Sequence, residues 1–215
     1  MNLQIYQAYY DTAQLPNLDP VFIPYDNTVN DAPHLRELPM WRKLYDKHKD
    51  TDAHWGLLSW RWVQKTGLPP FQFRDWILAN PGYDVYHFDP FKHLANEVPN
   101  LWVQGDRWHP GMINFANRLL PKIGIDTPVE QLRYLPEDFA SCNYFIGNTK
   151  FWKNYLSFLD LCLKLCDEDE ALSNYIYKEG QTYNGHFLPY FSFVIERLFT
   201  IHNILNRDIT VKRYP

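Results

Sequence analysis

Residues 52–91, DAHWGLLSWRWVQKTGLPPFQFRDWILANPGYDVYHFDPF, constrain the fold more than any other stretch, because they read as strand, helix, strand. HWGLLSWRW is a short, aromatic-rich apolar run closed by Lys65-Thr66-Gly67, the pattern of a strand ending in a turn. Phe73-Arg74-Asp75-Trp76-Ile77-Leu78 is a helical patch that stops at Asn80-Pro81-Gly82. The second strand, Tyr83 to Phe88, ends at Asp89-Pro90, where proline removes a backbone donor and breaks the ladder. Two strands joined by a helical crossover are expected to pair in parallel through a right-handed connection, which makes the fold class α/β. In open sheets of this kind ligands bind beyond the carboxyl ends of the strands. Those ends carry Arg61 and Lys65 on the first strand, and His87 and Asp89 on the second.

The length, 215 residues, fits one domain spanning 1–215 with a substantial core. With 46% hydrophobic residues the chain is too apolar to be disordered. A net charge of −4 gives no broad electrostatic case for nucleic acid or an anionic membrane, and leaves room only for a local basic pocket. No apolar run reaches the roughly 20 residues that span a bilayer. MNLQIYQAYYD has neither a basic nor an apolar leader region, so a cytoplasmic protein is expected. Cys142, Cys162 and Cys166 are an odd, sparse set that fits reduced thiols packed in a core. Aromatic residues stand out at 17%; flat amphipathic rings suit sugar and base stacking as well as a core.

The remaining chain completes an α/β pattern. Leu3 to Tyr9 reads as a first strand, and residues 19–24 as an extended segment ending in the turn formers Tyr25-Asp26-Asn27-Thr28. Leu38, Trp41 and Tyr45 give residues 35–48 helical spacing. Asn100 to Gly111 reads as a polar loop around His109, a candidate lid or acceptor loop, before a short helix from Met112. Residues 126–136 are a proline-punctuated loop and 139–145 a strand. Residues 150–166 are apolar nearly all round, a buried helix. Asp167 to Glu170 reads as the solvated acidic first turn of a further helix stopping at Gly180. Pro189 is expected to open a last helix with Tyr190, Val194, Leu198, Ile201 and Leu205 on one stripe, and residues 208–214 add a terminal strand.

The chain has no glycine loop for phosphate, no GxSxG, no HExxH and no Cys/His set with zinc spacing. What remains are polar residues at strand ends and within apolar helices. His87 and Asp89, two apart, project from one face of a strand, with Asp84 on the other. A carboxylate there can hold Mg²⁺ or Mn²⁺ against a diphosphate, or simply turn the chain. Arg61, between Trp60 and Trp62, can clamp phosphate or snorkel to the surface. Glu196 and Arg197 interrupt an apolar helix, so each needs a partner: Glu196 a cation or ligand hydroxyl, or the two a structural ion pair.

Several segments, taken in order, resemble the small GT-A-like bacterial glycosyltransferases of capsule and lipopolysaccharide biosynthesis, families of domain-of-unknown-function type. They are Tyr25-Asp26-Asn27-Thr28, Leu35-Arg36-Glu37-Leu38 with Trp41, Trp55-Gly56-Leu57-Leu58-Ser59-Trp60-Arg61-Trp62 and Tyr83-Asp84-Val85-Tyr86. His109, Cys142-Asn143-Tyr144-Phe145 with Phe151-Trp152 and Tyr155, and Glu196-Arg197-Leu198-Phe199 complete the series. The chain departs from the family pattern in lacking a plain Asp-x-Asp, and in carrying Ser-Trp-Arg-Trp where relatives have a His-Tyr-Arg-Arg type run.

The resemblance implies a GT-A-like, Rossmann-like mixed sheet flanked by helices, with a helical C-terminal part. It implies a hexosyltransferase moving sugar from a nucleotide-sugar donor, a UDP-sugar foremost, to a glycan or glycolipid acceptor of surface polysaccharide. The setting would be the cytoplasm, at its membrane face, with at most peripheral membrane contact. By the same resemblance Tyr25, Asp26, Asn27, Arg61, Lys65, Asn143 and Arg197 would hold the nucleotide-sugar. Glu196, His109 and Asp84 would serve catalysis, and Asp84 or Asp89 would carry Mn²⁺ or Mg²⁺. The reading from another class is a non-catalytic carbohydrate-binding protein, which explains the aromatic excess without a diphosphate site.

Overall fold

The structure, a computed structural model, describes residues 1–181 and 187–215. Strands β1 (Leu3–Tyr9) and β2 (Ile23–Asp26) come first, followed by helix α1 (Leu38–His48) and strand β3 (His54–Ser59). Helices α2 (Trp62–Thr66) and α3 (Pro70–Ala79) lead to β4 (Val85–His87). Three short helices follow, α4 (Leu94–Glu97), α5 (Leu101–Asp106) and α6 (Met112–Leu119), and then β5 (Phe145–Gly147). Helices α7 (Thr149–Asp167) and α8 (Glu170–Tyr177) precede a small hairpin of β6 (Glu179–Gln181) and β7 (Phe187–Pro189). Helix α9 (Phe191–Leu205) and strand β8 (Val211–Arg213) close the chain.

Six strands form one mixed sheet in the order β2-β1-β3-β5-β4-β8. Strand β1 pairs in parallel with both β2 and β3, whereas β5 runs antiparallel between β3 and β4. This corrects the expected β3–β4 pairing. The two strands point the same way, but β5, from some sixty residues further on, occupies the slot between them. The slot is tight: a Cβ on Gly56 would lie 2.2 Å from the carbonyl oxygen of Phe145 and 2.5 Å from Ile146 Cδ1.

Period-two alternation divides the core into two layers. Tyr6, Ala8, Trp55, Leu57, Val85 and Phe145 face the larger layer, covered by α1 and by α5 to α9. Ile5, Leu58, Tyr86 and Ile146 face the smaller one, covered by Trp62 of α2 and by Phe73 and Ile77 of α3. At the centre of the larger layer Trp152 of α7 stacks on Trp55 with ring centroids 4.0 Å apart and donates its indole N–H to the Trp55 carbonyl at 2.8 Å. The aromatic excess is therefore spent largely on the core.

Three local expectations are revised. The polar stretch 100–111 contains a helix, because the Asn100 side chain accepts from the amides of Trp102 and Val103 and caps α5. Asp169 is not part of a solvated acidic turn: it caps α8, is buried, and is held by Arg118 at 2.7 Å and Lys122 at 3.4 Å. Pro189 closes β7, and α9 starts two residues later. Among the described residues no helix is long and apolar enough to cross a membrane.

Candidate functional site

Strands β1 and β3 end side by side, and beyond their carboxyl ends opens a cavity of about 800 Å³. Ala8 of β1 and Tyr10 just past it line the cavity, with Ser59 at the end of β3 and Trp60 and Arg61 beyond it. Because β5 is antiparallel, its leading segment Cys142-Asn143-Tyr144 arrives at the same end. Helix α9 contributes Ser192, Phe193 and Glu196, and the turn before α1 contributes Arg36 and Glu37. A pocket of this size, with aromatic walls and a few polar groups, suits a small-molecule ligand.

Arg61 lies just past β3, as the residue before α2, and not on the strand as expected. Its Nε donates to Gln64 Oε1 at 2.7 Å and its guanidinium rests 5.8 Å from the Trp60 ring centre, so the two terminal nitrogens are left for a ligand. Lys65, in the last turn of α2, is exposed and stands 6.0 Å from the Tyr144 ring centre. Among the described residues Arg36, Arg61 and Lys65 form no salt bridge, although Glu37 and Glu196 line the same cavity. Asn143 and Ser192 are buried in the wall with Asn143 Oδ1 and Ser192 Oγ unpartnered. Buried polar atoms without partners are rare in native proteins.

Glu196 is part-buried on the cavity side of α9. Burial raises its pKa to about 7, with Arg197 and Lys65 opposing and Glu37 reinforcing the rise. A carboxyl that exchanges its proton near neutral pH is suited to general-base work.

Arg36 carries the main-chain anomaly of the site. With φ 53° and ψ −118°, followed by Glu37 at φ −75° and ψ −21°, it occupies the first central position of a type II′ turn. Glycine dominates that position, and a side chain there costs on the order of 1–3 kcal/mol. Among the described residues it is the one non-glycine with positive φ.

The other expected site residues lie elsewhere. Arg197 faces away from the cavity: its guanidinium donates to Leu101 O at 2.8 Å, Gln104 Oε1 at 2.9 Å and Phe193 O, joining α9 to α5. His109 stacks on Phe193 with ring centroids 3.5 Å apart, one ring back from the cavity. Burial, helped by Arg197, lowers its pKa to about 4, so it is neutral at pH 7.

Asp84 precedes β4 and so sits at the opposite end of the sheet. Its oxygens accept from Asn148 Nδ2 at 2.8 Å, from the Thr210 amide at 2.9 Å and hydroxyl at 3.0 Å, and from Lys150 at 3.2 Å. Burial pulls its pKa up, but these bonds outweigh it and leave the group below the usual carboxylate range. Asp84 ties β4, α7 and β8 together.

Asp89 is at the correct end but fully buried, accepting from the Phe91 amide at 3.0 Å and lying 3.6 Å from Arg213. Burial raises its pKa. His87 is buried beside a separate cavity of about 230 Å³, and burial together with Arg213 lowers its pKa to about 3. Neither lines the larger cavity, and among the described residues no three acidic, histidine or cysteine side chains cluster as metal ligands. Tyr25, Asp26 and Asn27 end the edge strand β2, one strand out from the lining residue Tyr10. Asp26 accepts from the amide and hydroxyl of Thr28 and Asn27 donates its amide to Tyr9 O, which fixes that turn.

Of the expected residues the structure therefore gathers Arg61, Lys65, Asn143 and Glu196 around one cavity. It adds Tyr10, Arg36, Glu37, Ser192 and Phe193. Arg36 and Glu37 stand in the resembling segment Leu35-Arg36-Glu37-Leu38, ahead of a proline-led helix, but nothing in that segment marks them as lining residues. No protein-family model, no curated protein and no solved structure matches the chain. The fold and cavity define an α/β protein whose mixed six-stranded sheet carries a ligand-sized pocket where its parallel strands end.

Proposed function

We propose that the protein is a glycosyltransferase of GT-A-like fold, which moves a sugar from a nucleotide-sugar donor to a hydroxyl of a surface-polysaccharide or lipopolysaccharide acceptor. The observation that carries this reading is the convergence of unpaired cations with a near-neutral carboxyl in one strand-end cavity. Arg61 and Lys65 hold the diphosphate, whose charge grows as the sugar C1–O bond breaks. Glu196 takes the acceptor hydroxyl's proton as the new C1–O bond forms, and the aromatic walls of Trp60, Phe193 and Tyr10 receive the base and the sugar ring. Asn143 supplies polar contact to the donor.

Saturation-transfer NMR against UDP-, GDP-, CMP- and dTDP-sugars tests the core of this reading, and a UDP-sugar is expected to bind. Binding of free glycans with no response to any nucleotide would favour a carbohydrate-binding protein instead.

Arg61→Lys is expected to weaken nucleotide-sugar binding by roughly 1–3 kcal/mol, since lysine's point charge does not reproduce the planar fork. The melting temperature should stay unchanged, because Arg61 is bonded only to neighbours on its own turn. A parallel fall in melting temperature would assign Arg61 a structural role.

Because side-chain cations surround the proposed diphosphate position, transfer is expected to persist in EDTA. Loss of transfer, restored by Mn²⁺ or Mg²⁺, would put a divalent cation on the donor phosphates.

A further inference from the structure

The II′ turn at Leu35–Leu38 holds an arginine where glycine would rest without strain, and that arginine lines the cavity. We propose that Arg36 is an anion clamp, held by this turn on the α1 side of the cavity so that a diphosphate is gripped between it and Arg61 with Lys65. This rests on the nucleotide-sugar reading and adds to it a residue and a second wall.

Three observations support the assignment. First, the guanidinium of Arg36 has no hydrogen-bond or salt-bridge partner among the described residues; it lies 5.9 Å from the centre of the Tyr10 ring, itself part of the lining, and its charge reaches Glu196 only through space. An arginine that stabilised the fold would be expected to show bonds such as those of Arg197. Second, the cavity gathers three cationic side chains against two carboxyls in a chain of net charge −4, so positive charge is concentrated where the overall balance is negative. Third, strained main chain survives where surroundings hold it and function uses it. Leu38 and Trp41, fully buried at the start of α1, fix the turn from the helix side, and the Arg36 amide donates to Pro33 O from the other.

The alternative, an arginine tolerated by chance on a turn, makes the opposite prediction for glycine. Under the proposal Arg36→Gly relaxes the turn and removes the clamp, so stability and affinity move apart. Isothermal titration of the whole chain with UDP and with inorganic pyrophosphate, alongside melting curves, reads both. Expected are binding of both probes by the wild type, a loss of at least tenfold for Arg36→Gly with each, and a melting temperature equal to or above that of the wild type. Arg36→Lys, which keeps charge and strain but not the fork, is expected to fall between the two in affinity.

Wild-type affinity in Arg36→Gly would overturn the clamp while leaving the nucleotide-sugar reading intact. A fall in melting temperature together with affinity would make Arg36 structural and overturn it as well. A wild type that binds neither probe would remove the diphosphate site and the clamp with it.

Discussion

Glu196→Gln is expected to lower the rate of sugar transfer at least tenfold, and by about 10²–10⁴-fold where proton removal from the acceptor limits the rate. The amide keeps the shape of the carboxyl but cannot accept a proton. The pH dependence follows from the pKa near 7. Below it Glu196 is protonated and idle as a base, so kcat/KM should fall about tenfold for each unit of pH beneath 7, and the Gln variant should lack that limb. Stability should change in the other direction. The folded-state pKa lies above the ordinary value of 4.5, so the folded chain keeps a proton that the unfolded chain releases between pH 4.5 and 7. Stability is therefore lost as pH rises through that window and stays lower above it. Gln removes the penalty, so the variant should melt with the wild type near pH 4 and above it at pH 8. Wild-type turnover in the variant would take Glu196 out of the chemistry; a lower melting temperature at pH 8 would contradict a carboxylate whose desolvation outweighs its attraction to the cations around it.

The elements legible in the sequence are those set by local periodicity. The alternation of Trp55 and Leu57 with Gly56 and Leu58 follows from the two-residue repeat of a strand, and α7 from an apolar run too long for one. The middle of the sheet was not legible. Nothing local in Phe145–Gly147 says that it separates β3 from β4, because that pairing joins segments about ninety residues apart on one side and sixty on the other.

In the site, position along a strand could be read but depth could not. His87 and Asp89 do end β4 at the correct side of the sheet, yet Arg213 and the segment before β5 bury them. Asp84, which strand spacing puts on the other face and the resemblance puts in the site, lies just before β4 at the opposite end of the sheet, since a residue just before a short strand cannot be told from one within it. Arg36 belongs to a segment of the resemblance, yet no site role is legible for it there, because its conformation and not its neighbours in sequence sets it apart. Glu196 and Arg197 show the same limit within a helix. Adjacent residues point about 100° apart, so the first faces the cavity and the second the neighbouring helix.

Arg197→Met is accordingly expected to damage the fold and spare the ligand. The guanidinium is buried and uses Nε, Nη1 and Nη2 to satisfy Leu101 O, Phe193 O and Gln104 Oε1. Its space is made by Gly105: a Cβ there would lie 2.5 Å from Nη2 and 2.6 Å from Nε. Methionine fills part of the volume but removes the bonds to the two helix carbonyls and leaves the Gln104 amide oxygen without the donor it has here. Removing a buried charge bonded at all three of its nitrogens costs about 3–5 kcal/mol, a large part of the roughly 5–15 kcal/mol that holds a domain folded. For a chain of this size the melting temperature should fall by roughly 10 °C. Arg197→Lys should recover little of it, because one ammonium cannot reach three acceptors arranged around a planar fork. Measured well below the melting transition, UDP affinity should match the wild type in both variants, since the side chain points from α9 toward α5 and not into the cavity. A variant that kept its melting temperature and lost UDP binding would return Arg197 to the site. The joint reading of melting and affinity separates the two neighbours: Glu196→Gln should lose turnover at no cost in stability, and Arg197→Met should lose stability at no cost in affinity.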